Sequence, residues 1–191
     1  MILFVDETES DDLFIVAGLL VNSKQDAEMV FKRFKKKAQR SHLSQKSKAR
    51  LFNEFKSTIM DKEYINFKRE MLLELSKLDN TILFSTHRKQ NILFKQREKE
   101  TAYIRLLSRI TEMIVFPVEI IFDSFNLHSF EERIVKRISG FENVLSVHPE
   151  RSETQPGIIL VDNICSVIKR HLKSDDSEGL FSIIKATVKR I

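Results

Sequence analysis

Two apolar runs near the start of the chain, Ile2-Leu3-Phe4-Val5 and residues 13–21 (Leu-Phe-Ile-Val-Ala-Gly-Leu-Leu-Val), are divided by the polar stretch 6–12, Asp-Glu-Thr-Glu-Ser-Asp-Asp. Such a pattern reads as a β-hairpin with its turn in the polar stretch. Strands this apolar need cover, so the hairpin commits the rest of the chain to building layers around it.

The rest supplies them. Ala27, Val30, Phe31, Phe34 and Ala38 recur at helical spacing and predict a helix over 24–40. Tyr64, Phe67, Met71, Leu75 and Leu78 predict another over 63–78, and Tyr103, Leu106, Leu107, Ile110 and Met113 a third over 96–114. Residues 81–86, 118–122 and 144–147 read as strands, with Pro117 ahead of the second of them. Phe130, Ile134 and Ile138 predict a helix over 129–139 that stops at Gly140. Pro156 opens a helix with Val161, Ile164, Cys165, Ile168 and Leu172 on its buried stripe, and a short last helix is expected over 178–189. The order β-β-α-α-β-α-β-α-β-α-α predicts an α/β protein, a mixed sheet with an N-terminal hairpin and helices on both faces. With 191 residues, no repeat and no linker, one domain over 1–191 is expected.

Composition narrows the function. The lone Cys165 excludes an internal disulfide and a cysteine-built zinc site. No apolar run reaches the roughly 20 residues of a membrane helix, and acids appear too early for a signal peptide. A cytoplasmic protein without a membrane role is the expectation. Between Lys32 and Lys56 stand ten Lys or Arg against the single Glu54, nine net charges where the whole chain has five. That imbalance suits a nucleic-acid backbone, with Lys35, Lys36, Lys37 and Arg40 as the residues to hold it; a solvated helix face is the plainer alternative.

Asp6 and Asp123 each end an apolar strand run, and Asp162 falls beside a buried helix stripe. Open α/β sheets collect ligands at such strand ends. Converging carboxylates repel, by roughly 4 kcal/mol for a pair about 4 Å apart at an effective dielectric near 20. A bound Mg²⁺ or Mn²⁺ reverses that sign. Singly, each acid has a bland alternative: a turn for Asp6, a helix cap for Asp123, a lysine partner for Asp162. No two histidines have helical zinc-site spacing. His87 and His148 end strands and are lesser candidates for orienting water or phosphate, Phe31 and Phe34 are expected in the core, and so is Cys165.

Four segments, Phe4-Val5-Asp6-Glu7-Thr8, Glu54-Phe55-Lys56, Ile121-Phe122-Asp123-Ser124 and the stretch 156–162 (Pro-Gly-Ile-Ile-Leu-Val-Asp), resemble the family called domain of unknown function 3800. The likeness runs along nearly the whole chain in order. It implies a ribonuclease H-like fold and a metal-dependent nuclease. It further implies metal ligation by Asp6, Asp123, Asp162 and Glu54, with Lys56 facing phosphate and Glu7 a weaker member of the same site. Thr8-Glu9 departs from the family's Ser-Gly, and Ile159 and Val161 from its Gln and Ala. Two-metal phosphodiester hydrolysis on DNA or RNA is the mechanism implied, and defence of a bacterium against foreign nucleic acid is the role analogy suggests. The alternatives are a catalytically inactive module that binds nucleic acid or protein with the same fold, and a subunit active only with a protein partner or as a homo-oligomer.

Overall fold

The hairpin forms, and it is longer than its apolar runs alone predict. The computed structural model describes residues 1–10, 12–46, 48, 62–88 and 95–191. In it β1 (Ile2–Ser10) pairs antiparallel with β2 (Leu13–Val21), from Ile2 opposite Val21 to Ser10 opposite Leu13. All nine residues of β2 are buried, so its backbone groups need partners. The backbone of Thr8, Glu9 and Ser10 supplies them. The polar stretch is therefore strand as far as Ser10, and Asp6 and Glu7 stand inside β1 rather than in a turn after it.

Among the described residues the sheet has six strands in the order β5-β4-β1-β2-β3-β6. β3 (Asn80–Arg88) is antiparallel to β2, and β4 (Val118–Asp123) is parallel to β1. β5 (Val144–Glu150) lies parallel outside β4, and β6 (Val188–Arg190) parallel outside β3. The sheet is mixed, as the element order predicts.

Strand alternation divides the core in two. Ile2, Phe4, Ile15, Ala17 and Ile121 face α1 (Lys24–Gln39), α2 (Lys62–Leu75), α5 (Pro156–Leu172) and α6 (Leu180–Ile184). Leu3, Val5, Val16, Ile120 and Phe122 face α3 (Gln96–Glu112) and α4 (His128–Ile138). Helices thus cover both faces. None among the described residues is long and apolar enough to cross a membrane.

One predicted element is different. The stretch 178–189 is a helix only over Leu180–Ile184, and the chain then extends into β6. Pairing explains it. The outer edge of β3 has open backbone groups, and Val188–Arg190 fill them, with the Ile191 N–H donating to the Phe84 carbonyl at 2.9 Å.

α5 presses on β1 at Gly157, where an added methyl group would come within 2.4 Å of the Phe4 ring. Phe4 is fully buried and cannot yield. Gly157→Ala is expected to cost about 1–3 kcal/mol, the range for overpacking a filled core, and to lower the urea midpoint accordingly. An unchanged midpoint would mean that α5 is not seated on Phe4. This seat lies two residues before Asp6, and it carries Asp162 to the same end of the sheet.

Candidate metal centre

Register sets two of the acids side by side. Phe4 pairs with Ile121 and Val5 with Phe122, so the next step brings Asp6 alongside Asp123, on strands about 4.8 Å apart. Both continue the parity of Phe4 and Ile121 and turn to the α5 side of the sheet, which carries Asp162. Glu7 has the opposite parity and turns to the α3 side. Asp6 is only 7% exposed, and Glu7, Asp123 and Asp162 are half-buried.

The electrostatics link all four. Burial holds the Asp6 carboxyl well above the usual carboxylate range, and the charges of Glu7, Asp162 and Asp123 add to it. Glu7 is pushed up to about 7, first by burial and then by the charge of Asp123. Asp123 is raised by burial against the pull of the Ser152 and Ser124 N–H groups, with Glu153 and Asp162 adding. Among the described residues no lysine or arginine forms an ion pair with Asp6, Glu7 or Asp123. Asp6, Glu7 and Asp123 therefore share one field with no ion-paired cation among the described residues.

Local hydrogen bonds orient them. Asp6 Oδ1 accepts the Glu7 N–H at 2.8 Å, and Asp123 Oδ1 accepts the Ser152 N–H at 3.1 Å. The loop after Asp123 is held by one carboxylate oxygen, Glu131 Oε1, which accepts from the Ser124 hydroxyl and the Phe125 and Asn126 N–H groups. A polar cavity of about 370 Å³ opens at Asp123, lined by Ser124, Asn126, Arg151, Ser152 and Glu153.

Two buried residues at this edge escape the sequence reading. Lys68 of α2 is 1% exposed. Burial lowers its ammonium to about 8, while the charge of Asp162 raises it. Its signal was a lysine on an apolar stripe, between Tyr64 and Met71-Leu72. Tyr103 of α3 is 1% exposed, and among the described residues its hydroxyl has no hydrogen-bond partner. Its ring stands edge-on to Phe125 at 5.0 Å and Phe130 at 5.9 Å. Burial raises the phenol, then the charges of Glu7, Asp6 and Asp123, so it sits beneath the acids from the α3 side.

Other expected residues fall elsewhere. Glu54, Phe55 and Lys56 lie outside the described residues. Lys37 pairs with Glu70 and Glu74 of α2, and Lys35 stands over the Phe31 ring at 5.7 Å. Lys36 and Arg40 are exposed. His148 contacts Glu150 at 3.1 Å and Glu119 at 3.7 Å, a cluster Lys24 also joins. Cys165 is core, as expected, and its thiol donates to the Asp6 carbonyl at 3.4 Å.

An all-carboxylate set suits a hard divalent cation, and Asp6, Glu7 and Asp123 have no ion-paired cation among the described residues. As the side chains stand, no three His, Cys, Asp or Glu among the described residues close into a ready-made ligand group. The donor chemistry fits; closing the set takes side-chain movement.

No protein-family model and no curated protein matches the chain. Solved structures do. A chain in the PCNA:RNase HII complex from Archaeoglobus fulgidus superposes with a TM-score of 0.55 at 14% identity, over 93% of this chain and 76% of that one. Ribonuclease H2 from Pyrococcus horikoshii OT3 gives 0.48 at 13% identity, over 94% and 78%. The first of these likenesses shows the fold, a ribonuclease H-like mixed sheet with an N-terminal hairpin and helices on both faces.

Proposed function

We propose that this chain is a metal-dependent nuclease that hydrolyses phosphodiester bonds in DNA or RNA, a single ribonuclease H-like domain over 1–191 akin to the domain of unknown function 3800 family. The observation that carries it is the buried Asp6 beside the half-buried Asp123 on adjacent parallel strands, neither with an ion-paired cation among the described residues. A cytoplasmic setting and a defence role go with the reading by the arguments from cysteine content and analogy given above.

Asp6, Asp123 and Asp162 would hold Mg²⁺ or Mn²⁺, with Glu54 joining from its own segment. Bound there, the metal supplies an activated water and stabilises the leaving oxygen. The chain's own groups do the rest. Ser152 N–H keeps one oxygen of Asp123 fixed, leaving the other for a ligand. Arg151, exposed at the cavity mouth, offers a fork to a phosphate, and Lys56 is the second cation the family resemblance suggests for that task. The test is Mn²⁺- and Mg²⁺-dependent cleavage of single- and double-stranded DNA and RNA. Purified protein inert on all four with both ions present would end this reading.

A second reading, a binding module without turnover, draws on Lys68. A buried ammonium facing Asp162 can act as that acid's permanent counterion. Lys68→Met separates the two. If Asp162 serves a metal, removing a competing positive charge should tighten Mn²⁺ binding by about tenfold in titration calorimetry. If Lys68 is the counterion, the variant should lose stability and show no gain in Mn²⁺ binding.

A further inference from the structure

On the sheet face away from Asp162, α3 and α4 enclose a groove of about 750 Å³, twice the cavity at Asp123. Its walls carry Arg97, Arg105 and Arg109 of α3 and Arg133 and Arg137 of α4. All five are exposed. Steps of four and eight residues keep the three on α3 along one stripe, and Arg133 and Arg137 stand one turn apart on the facing helix.

Two acids, Glu100 and Glu112, also line the groove. Glu100 is engaged by Arg133 across the two helices. Among the described residues no carboxylate forms an ion pair with Arg97, Arg105, Arg109 or Arg137. The cations of α1 are different: Lys32 pairs with Glu28, Arg33 with Glu74, and Lys37 with Glu70. Like charges one helical turn apart are unfavourable by themselves, and an anion lying between them removes the repulsion. Guanidinium rather than ammonium is the group for this, because its planar fork matches two oxygens of a phosphate. Arg137 is steadied over the Phe141 ring at 5.7 Å.

The groove also leads to the acids. From Arg97 to Glu112 α3 rises about 22 Å, and its first turn is tied to β1 by Lys99 and Glu9 at 2.6 Å. Tyr103, beneath Glu7, stands one turn further along the same helix. We propose that this arginine-lined groove is the track for the sugar-phosphate backbone of a nucleic-acid strand, leading it to the edge with Asp6 and Asp123. The identity of the occupant rests on the nuclease reading above; the location of the track does not.

The test is fluorescence anisotropy with a labelled single strand of about 20 nucleotides and the matching duplex. Titrations run in EDTA at salt from about 50 to 200 mM. The variant Arg105→Gln/Arg109→Gln/Arg137→Gln should bind the single strand about tenfold or more weakly. Its log-log salt slope should flatten by about 2, at roughly 0.7 per lost contact. Lys35→Gln/Lys36→Gln/Arg40→Gln serves as the comparison on α1. Unchanged affinity and slope in the groove variant overturn the proposal, whatever the α1 variant does. So does equal binding of polyglutamate by the wild type, which would mark the groove as a face for acidic protein. Wild type that cleaves, with a groove variant that binds as before, removes the track and leaves the nuclease. Wild type that never cleaves, with a groove variant that loses binding, removes the nuclease and keeps the track.

Discussion

Asp123→Asn is expected to lower Mn²⁺-dependent cleavage by about a hundredfold or more while leaving the protein folded. Loss of a residue that merely orients a metal ligand costs about 10- to 100-fold, and Asp123 is proposed as a direct ligand. The substitution is conservative for the fold. Asn keeps an oxygen to accept the Ser152 N–H, the bond that fixes Asp123 at 3.1 Å. It also removes a charge that raises Glu7 and Asp6, so in EDTA the variant should melt no lower than the wild type. Activity lost without loss of stability is the signature of a ligand. Cleavage at the wild-type rate would show that the activity belongs to another site or another protein.

Stability of the metal-free protein should fall as pH rises from about 4 to 7, against the usual trend for carboxylates. In the unfolded chain Glu7 ionises near its ordinary value of about 4.3; in the folded protein it holds its proton to about 7. Below the first value both states are protonated and the group contributes nothing. Between the two values the folded state binds more protons, so unfolding becomes easier with each step in pH. Above 7 the penalty is complete. Allowing for the partial exposure of Glu7, it is on the order of 2–3 kcal/mol, and Asp6, raised by burial and the same neighbours, adds in the same direction. Urea midpoints across this range measure it. Glu7→Gln should flatten the curve, and Mg²⁺ at about a hundred times its Kd should restore roughly 2.7 kcal/mol at pH 7. A wild-type midpoint that rises through the same interval would mean that these carboxyls do not share a buried field.

Much of this architecture is written locally. Ile2 to Val5 and Ile120 to Phe122 are apolar runs that stop at an acid, which is why Asp6 and Asp123 could be picked out as strand-end carboxylates. Asp162 was legible as a charge beside the stripe of Val161, Ile164 and Cys165. What the sequence hides is pairing between segments. Thr8 to Ser10 look like a turn until β2 offers them a ladder, and Val188–Arg190 look helical until the edge of β3 takes them. Charge is hidden for the same reason. The run around Lys37 looks unbalanced along the chain, yet Glu70 and Glu74 on α2 answer it in space. The arginines of α3 and α4 sit in ordinary mixed-charge helices, and Arg97 beside Glu98 and Glu100 reads as a solvated face. They become a cluster only when the two helices meet.

The alternation of Asp6 and Glu7 along β1 has a mechanical outcome. One points toward α5 and its neighbours, the other toward Tyr103 between α3 and α4, so a single peptide unit joins the two sides of the sheet. Any shift of the backbone at that one unit therefore moves a carboxyl on each face at once. The two faces are thus joined across one strand's thickness, with no hinge, lid or domain boundary between them.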